Sequence, residues 1–142
     1  MASFRGERQA APIVFSRDGR LVAAETVRHT VTVIDLDHPG HPIVLPEQRS
    51  TVTRIAFSPD NTRIATLSGQ GITLFDARSG TQLLALRESI GPYHVREIIL
   101  PGRALTGATS LVFSDDGQEI VETIIANDPK GIRVTIKTWT GN

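Results

Sequence analysis

Apolar and polar residues alternate along this chain in short runs, each closed off by turn residues. RLVAAE (20–25), TVTVIDL (30–36), RIATLS (63–68), GITLFDA (71–77), QEIVETII (118–125) and IRVTIKTW (132–139) are rich in Val, Ile, Thr and Leu. Gly, Asp, Asn, Ser or Pro bounds them. β-Branched runs between such boundaries predict strands, because the branched side chain suits a pleated, half-buried surface. Helical periodicity is essentially absent. The pattern predicts an all-β meander.

A five-residue phrase punctuates the pattern three times: FSRDG at 15–19, FSPDN at 57–61 and FSDDG at 113–117. In each, the Phe ends a strand facing the core, and Asp followed by Gly or Asn supplies a tight turn. Asp bonds nearby backbone, and Gly or Asn tolerates positive φ. Phe57 follows Phe15 by 42 residues, a four-stranded blade period, whereas Phe113 follows Phe57 by 56. A fourth strand precedes the later phrases, as PIVLP (42–46) and EIILP (97–101), and QLLAL (82–86) also reads as a strand. Two candidates therefore compete for one strand position between the second and third units. Either QLLAL is the outer strand and IILP an extra one, or ESIGPYHVR (88–96) is an insert within a longer excursion.

This order of strands and turns resembles the WD-repeat β-propeller family over nearly the whole chain. The residues that carry the resemblance are Phe15, Ser16, Asp18 and Gly19; Phe57, Ser58, Pro59 and Asp60; and Phe113, Ser114, Asp116 and Gly117. Ile34-Asp35 and Phe75-Asp76 stand where the family has Trp-Asp, and Trp139-Thr140 keeps the Trp without the Asp, on a longer hairpin. The family's Gly-His pair is missing from all three units, so its His-Ser-Asp-Trp network is incomplete. The implied fold class is all-β: a β-propeller-type array of about three four-stranded antiparallel blades, open to completion by oligomerisation. The units fall at about 3–36, 42–77 and 82–140, with an insert near 88–97. A β-sandwich of repeated hairpins is the alternative.

Three blades leave two largely apolar end faces without a neighbour, and no polar capping repeat covers them. On this reading the third blade lacks its outer strand and residues 3–8, SFRGER, occupy an outer-strand position. Two or three copies would then close a six- or nine-bladed ring, each N-terminal segment completing a neighbour's blade. The competing expectation is one portion of a longer propeller.

Composition narrows the chemistry. The 142 residues carry 15 basic and 15 acidic side chains, so no strong field steers the chain to nucleic acid or anionic lipid. There is no cysteine, hence no disulfide, thiolate metal site or Cys nucleophile. With neither a secretory signal nor a long apolar run, the expected location is cytoplasmic and no membrane association is expected. His38-Pro-Gly-His41 lacks a third ligand for a tetrahedral metal, and Asp115-Asp116 matches no calcium loop. Ser16, Ser58 and Ser114 recur in register, which marks a structural position and not a nucleophile. Gly69-Gln-Gly71 opens no helix and cradles no phosphate.

The stretch 88–97 breaks the repeat and holds Tyr93, the single Tyr, with His94 and Arg96. Tyr and Arg are enriched at binding hot spots. Arg49, with Ser50, and Arg28-His29 should face the same end of the ring. The expected function is a non-catalytic interaction or scaffold module without cofactor or metal, binding a protein or peptide through these residues. The rivals are a regulatory part of a larger WD-repeat signalling protein and, third, a propeller hydrolase or lyase.

Overall fold

The three FSxD phrases fold into one and the same turn. Ser16 Oγ accepts the Leu21 N–H at 3.0 Å and donates to Asp18 Oδ1 at 2.7 Å. Ser58 does so with Arg63 at 2.9 Å and Asp60 at 2.7 Å, and Ser114 with Glu119 at 3.0 Å and Asp116 at 2.7 Å. The same Asp oxygen accepts the N–H of Arg20, Thr62 or Gln118. Each corner closes on a residue of positive φ: Gly19 at 75°, Asn61 at 63° and Gly117 at 72°. That region excludes most side chains, which is why Gly or Asn stands there.

The computed structural model describes residues 12–27, 29–86, 93–104 and 107–140. They form twelve strands in three four-stranded antiparallel sheets, with no helix among the described residues. Blade 1 runs β1 (Ile13–Phe15), β2 (Leu21–Val27), β3 (Thr30–Asp35) and β4 (Ile43–Val44) from inner to outer edge. Blade 2 repeats it with β5 (Val52–Phe57), β6 (Arg63–Ser68), β7 (Gly71–Asp76) and β8 (Gln82–Leu86). Blade 3 contains β9 (Tyr93–Leu100), β10 (Ala108–Phe113), β11 (Glu119–Asp128) and β12 (Gly131–Thr140), in the spatial order β10-β11-β12-β9.

That order settles the competition between 82–86 and 97–101: both are outer strands, one for each of two blades. It also corrects the expectation that the third blade lacks its outer strand. β9 precedes the rest of its blade in sequence, yet pairs along β12 from Tyr93↔Trp139 to Leu100↔Ile132. With the outer edge of β12 taken, no turn into a following outer strand is needed. Hence Trp139-Thr140 carries no Asp, whereas Asp35 and Asp76 each accept backbone N–H groups in the turns after β3 and β7. Residues 3–8, assigned above to a neighbour's blade, lie outside the described residues.

Blade 2 sits between the others and is buried on both faces. One face sets Ile64 and Phe75 against Ala23, Val31, Val33 and Leu45 of blade 1. The other sets Ala65, Leu67, Ile72 and Leu74 against Leu111, Phe113, Ile120 and Trp139 of blade 3. Polar ties cross both seams. The Glu25 carboxylate accepts the Val52 N–H at 3.1 Å, and the Arg54 guanidinium donates to the Thr109 carbonyl at 2.8 Å. Arg63 donates to the Gly117 carbonyl at 2.9 Å. The three phenylalanines of the repeated phrase are not equally core. Phe113 is buried and Phe57 partly so, but Phe15 is 59% exposed, against the expectation that it faces inward. Each Phe turns toward the preceding blade, and no described blade precedes the first.

Gly131 fixes the returning strand. It sits at φ 144° beyond the Pro129-Lys130 turn, and a Cβ there would lie 2.1 Å from the Leu100 carbonyl oxygen. Gly131→Ala should therefore cost about 1–3 kcal/mol in denaturant unfolding. Gly40→Ala, with nothing within 4 Å of the added Cβ, should stay within about 0.5 kcal/mol. Equal effects at the two positions would contradict the placement of β9.

Candidate functional site

Where the turns of blades 1 and 2 come side by side they leave a groove of about 520 Å³. Its floor is apolar, made by Leu21, Val33, Ile43 and Ala77. Its walls carry Asp18, Arg20, Asp35, His38, His41, Asp60 and Arg78. Arg20 is held by Asp37 at 2.9 Å, and His38 Nδ1 lies 3.6 Å from Asp35 Oδ2. The carboxylates on opposite walls are the turn residues of the repeated phrase. The Ser16 hydroxyl and then the Arg20 N–H hold Asp18 below the usual carboxylate range. The Ser58 hydroxyl, with the Thr62 hydroxyl and N–H, brings Asp60 down to about 2. Both are ionised at every physiological pH, so the groove offers fixed anions beside guanidinium groups over an apolar base.

The described residues among those expected to bind a partner, His29, Arg49, Tyr93, His94 and Arg96, do not converge. His29 lies in the β2–β3 turn at φ 66°, its carbonyl accepting the Gln48 N–H at 2.8 Å. That bond brings the turn beside the segment containing exposed Arg49. Arg28 lies outside the described residues, as do 88–92 of the stretch expected to be a loop insert. From Tyr93 onward that stretch is not a loop but β9. Strand alternation then divides its side chains. Tyr93 stacks on Trp139 with ring centroids 5.5 Å apart, at the end of blade 3 that bears the β10–β11 turn. His94 and Arg96 share the opposite face with their partners Thr138 and Ile136. His29 and Arg49 sit at the other type of blade end. The loss of repeat period reflects an added strand and not a loop insertion.

Sequence reasoning missed the groove. Its signal was present in the recurrence of Asp18 and Asp60, since adjacent blades put equivalent turns side by side. Among the described residues no group of three or more His, Asp or Glu is placed to hold a metal. A second cleft, between blades 2 and 3, is walled by Gln70, Leu86, Glu122 and Trp139. The buried indole N–H of Trp139 has no acceptor among the described residues.

Neither a protein-family model nor a curated relative matches the chain. Solved structures do. The β-propeller domain of Cps50 (Swd1) from Myceliophteria thermophila is similar with a TM-score of 0.58 at 14% identity. The match covers 89% of this chain and 38% of that one. The likeness is one of fold: the chain has the architecture of part of a propeller.

Because the folded-state pKa values of Asp18, Asp60 and Asp116 are depressed, their contribution to stability is present above about pH 4. It is lost as pH falls through the folded values, toward about 2 for Asp60. Asp60→Asn should destabilise the protein at neutral pH, and its difference from the unsubstituted chain should shrink between about pH 4 and pH 2. Urea unfolding at a series of pH values checks this, and a pH-independent difference would contradict the role of the carboxylate.

Proposed function

We propose that the chain is a non-catalytic protein-interaction module whose groove between blades 1 and 2 binds an extended peptide or protein loop bearing charges of both signs. One observation carries this: Asp18 and Asp60 stand ionised beside Arg20 and Arg78 over the floor of Leu21, Val33, Ile43 and Ala77. An apolar base with a few convergent polar groups is the form that binding sites take. The hydroxyls of Ser16, Ser58 and Ser114 all serve the same turn, each donating to its Asp, which favours scaffold over catalysis. His29 and Arg49 form a secondary contact region at the opposite type of blade end, outside the groove.

A second reading, that these blades are one portion of a larger propeller protein, is favoured by the 38% coverage of the Swd1 domain. It is compatible with the same groove.

Panning a random peptide library against the purified chain tests the proposal. Enriched peptides should share an acidic and a basic residue. Arg78→Glu, at an exposed rim position, should weaken them at least about tenfold (about 1.4 kcal/mol) without moving the thermal midpoint. No enrichment, or peptides indifferent to Arg78→Glu, would contradict it.

A further inference from the structure

Inside the chain, each blade-to-blade seam is the same joint. One side is a row of three large side chains aligned across three strands. These are Phe57, Ile64 and Phe75 where blade 2 meets blade 1, and Phe113, Ile120 and Trp139 where blade 3 meets blade 2. The other side is an aligned row of smaller apolar residues: Val14, Ala23 and Val33 on blade 1, and Ala56, Ala65 and Leu74 on blade 2. The register places the equivalent positions on the end faces, with the smaller Val22 in the first row and the polar Thr138 in the second. Blade 1 carries Phe15, Val22 and Ile34 on the face turned away from blade 2. Blade 3 carries Val112, Val121 and Thr138 on the face turned away from blade 2. Phe15 is 59% exposed and Val112 51%. Ile13 and Val44 flank the first row, exposed at 67% and 61%, and Ile98 and Leu100 share the second face.

We propose that these two faces meet between two copies of this chain. The Phe15 row of one copy packs on the Val112 row of the other, and reciprocally, so that two chains close a six-bladed ring. The end rows stand at the positions equivalent to those of a joint the chain already makes twice internally, so a second copy continues the existing interface. With 15 basic and 15 acidic residues, the copies do not repel. Six blades fall in the range of about 4–8 found in closed propellers, and nine do not. Contacts between unlike surfaces close into a ring when the rotation allows it. The joint is made by faces and not by strand exchange, because β9 already completes blade 3. It sets His94 and Arg96, which line a shallow hollow with Ile136 and Thr138, at its outer rim. This proposal stands independently of peptide binding in the groove.

Light scattering coupled to gel filtration tests it with Phe15→Glu and Val112→Glu, each a substitution at an exposed position. The unsubstituted chain should run at twice its 15.4 kDa mass. Each variant alone should run as a monomer with an unchanged far-ultraviolet spectrum and Trp139 fluorescence. Their equimolar mixture should recover dimer, because Phe15→Glu keeps an intact Val112 row and Val112→Glu an intact Phe15 row. Phe15→Ser and Thr138→Arg probe the same rows should a glutamate variant lose its native spectrum. A monomeric unsubstituted chain, either variant alone remaining dimeric, or a mixture that stays monomeric would each overturn the proposal. Peptide enrichment by a monomeric chain would leave the groove standing while removing the ring.

Discussion

Everything in this molecule depends on the packing of one blade face against the next. A four-stranded antiparallel sheet of this size has little core of its own, so its apolar rows must be covered by another sheet. Blade 2 meets that requirement on both sides. All of Ile64, Ala65, Thr66, Leu67 and Ser68 are buried, a run that a half-exposed strand would not tolerate. The central blade thus holds the others at fixed angles, and this places the turns at residues 17–20 and 59–62 close enough to share a groove. The groove is a by-product of stacking: neither blade alone has it.

The repeated turn is the local device that makes stacking possible. Its Ser–Asp pair satisfies the N–H groups at the corner between the first two strands of each blade, and the positive-φ residue reverses the chain within a few positions. Because the bonds are equivalent in all three units, the first two strands of each blade leave the corner in the same register. The large residues then align across strands, as Phe57, Ile64 and Phe75 do. The carboxylates that build the corner are also those that line the groove, so one constellation serves architecture and electrostatics together.

Much of this was legible in the sequence, for physical reasons that can be named. The turn phrase has a strong local signature, and strands bounded by such turns have few alternatives. Hence the all-β class and three four-stranded antiparallel blades could be read from residues alone. The winding of blade 3 could not. EIILP looks like any other outer strand, and nothing in its own composition says that it pairs with a strand more than thirty residues later. The cues lay elsewhere: the missing Asp after Trp139 and a glycine at 131 where a side chain would strike Leu100. The place of Tyr93 is hidden for the same reason, since a residue that stacks on Trp139 looks, out of context, like an exposed aromatic on a loop. The groove was hidden because it belongs to two units at once, and periodicity describes each unit singly.

The stacking account is tested most directly by hydrogen exchange on the chain at high dilution, strand by strand. If the seams hold the fold together, the amides of β6 and β7, covered on both faces, exchange most slowly. Those of β2 and β11, each covered on one face, exchange faster. Protection of β2 or β11 equal to or above that of β6 and β7 would contradict it, because the blades would then be stable without the joints between them.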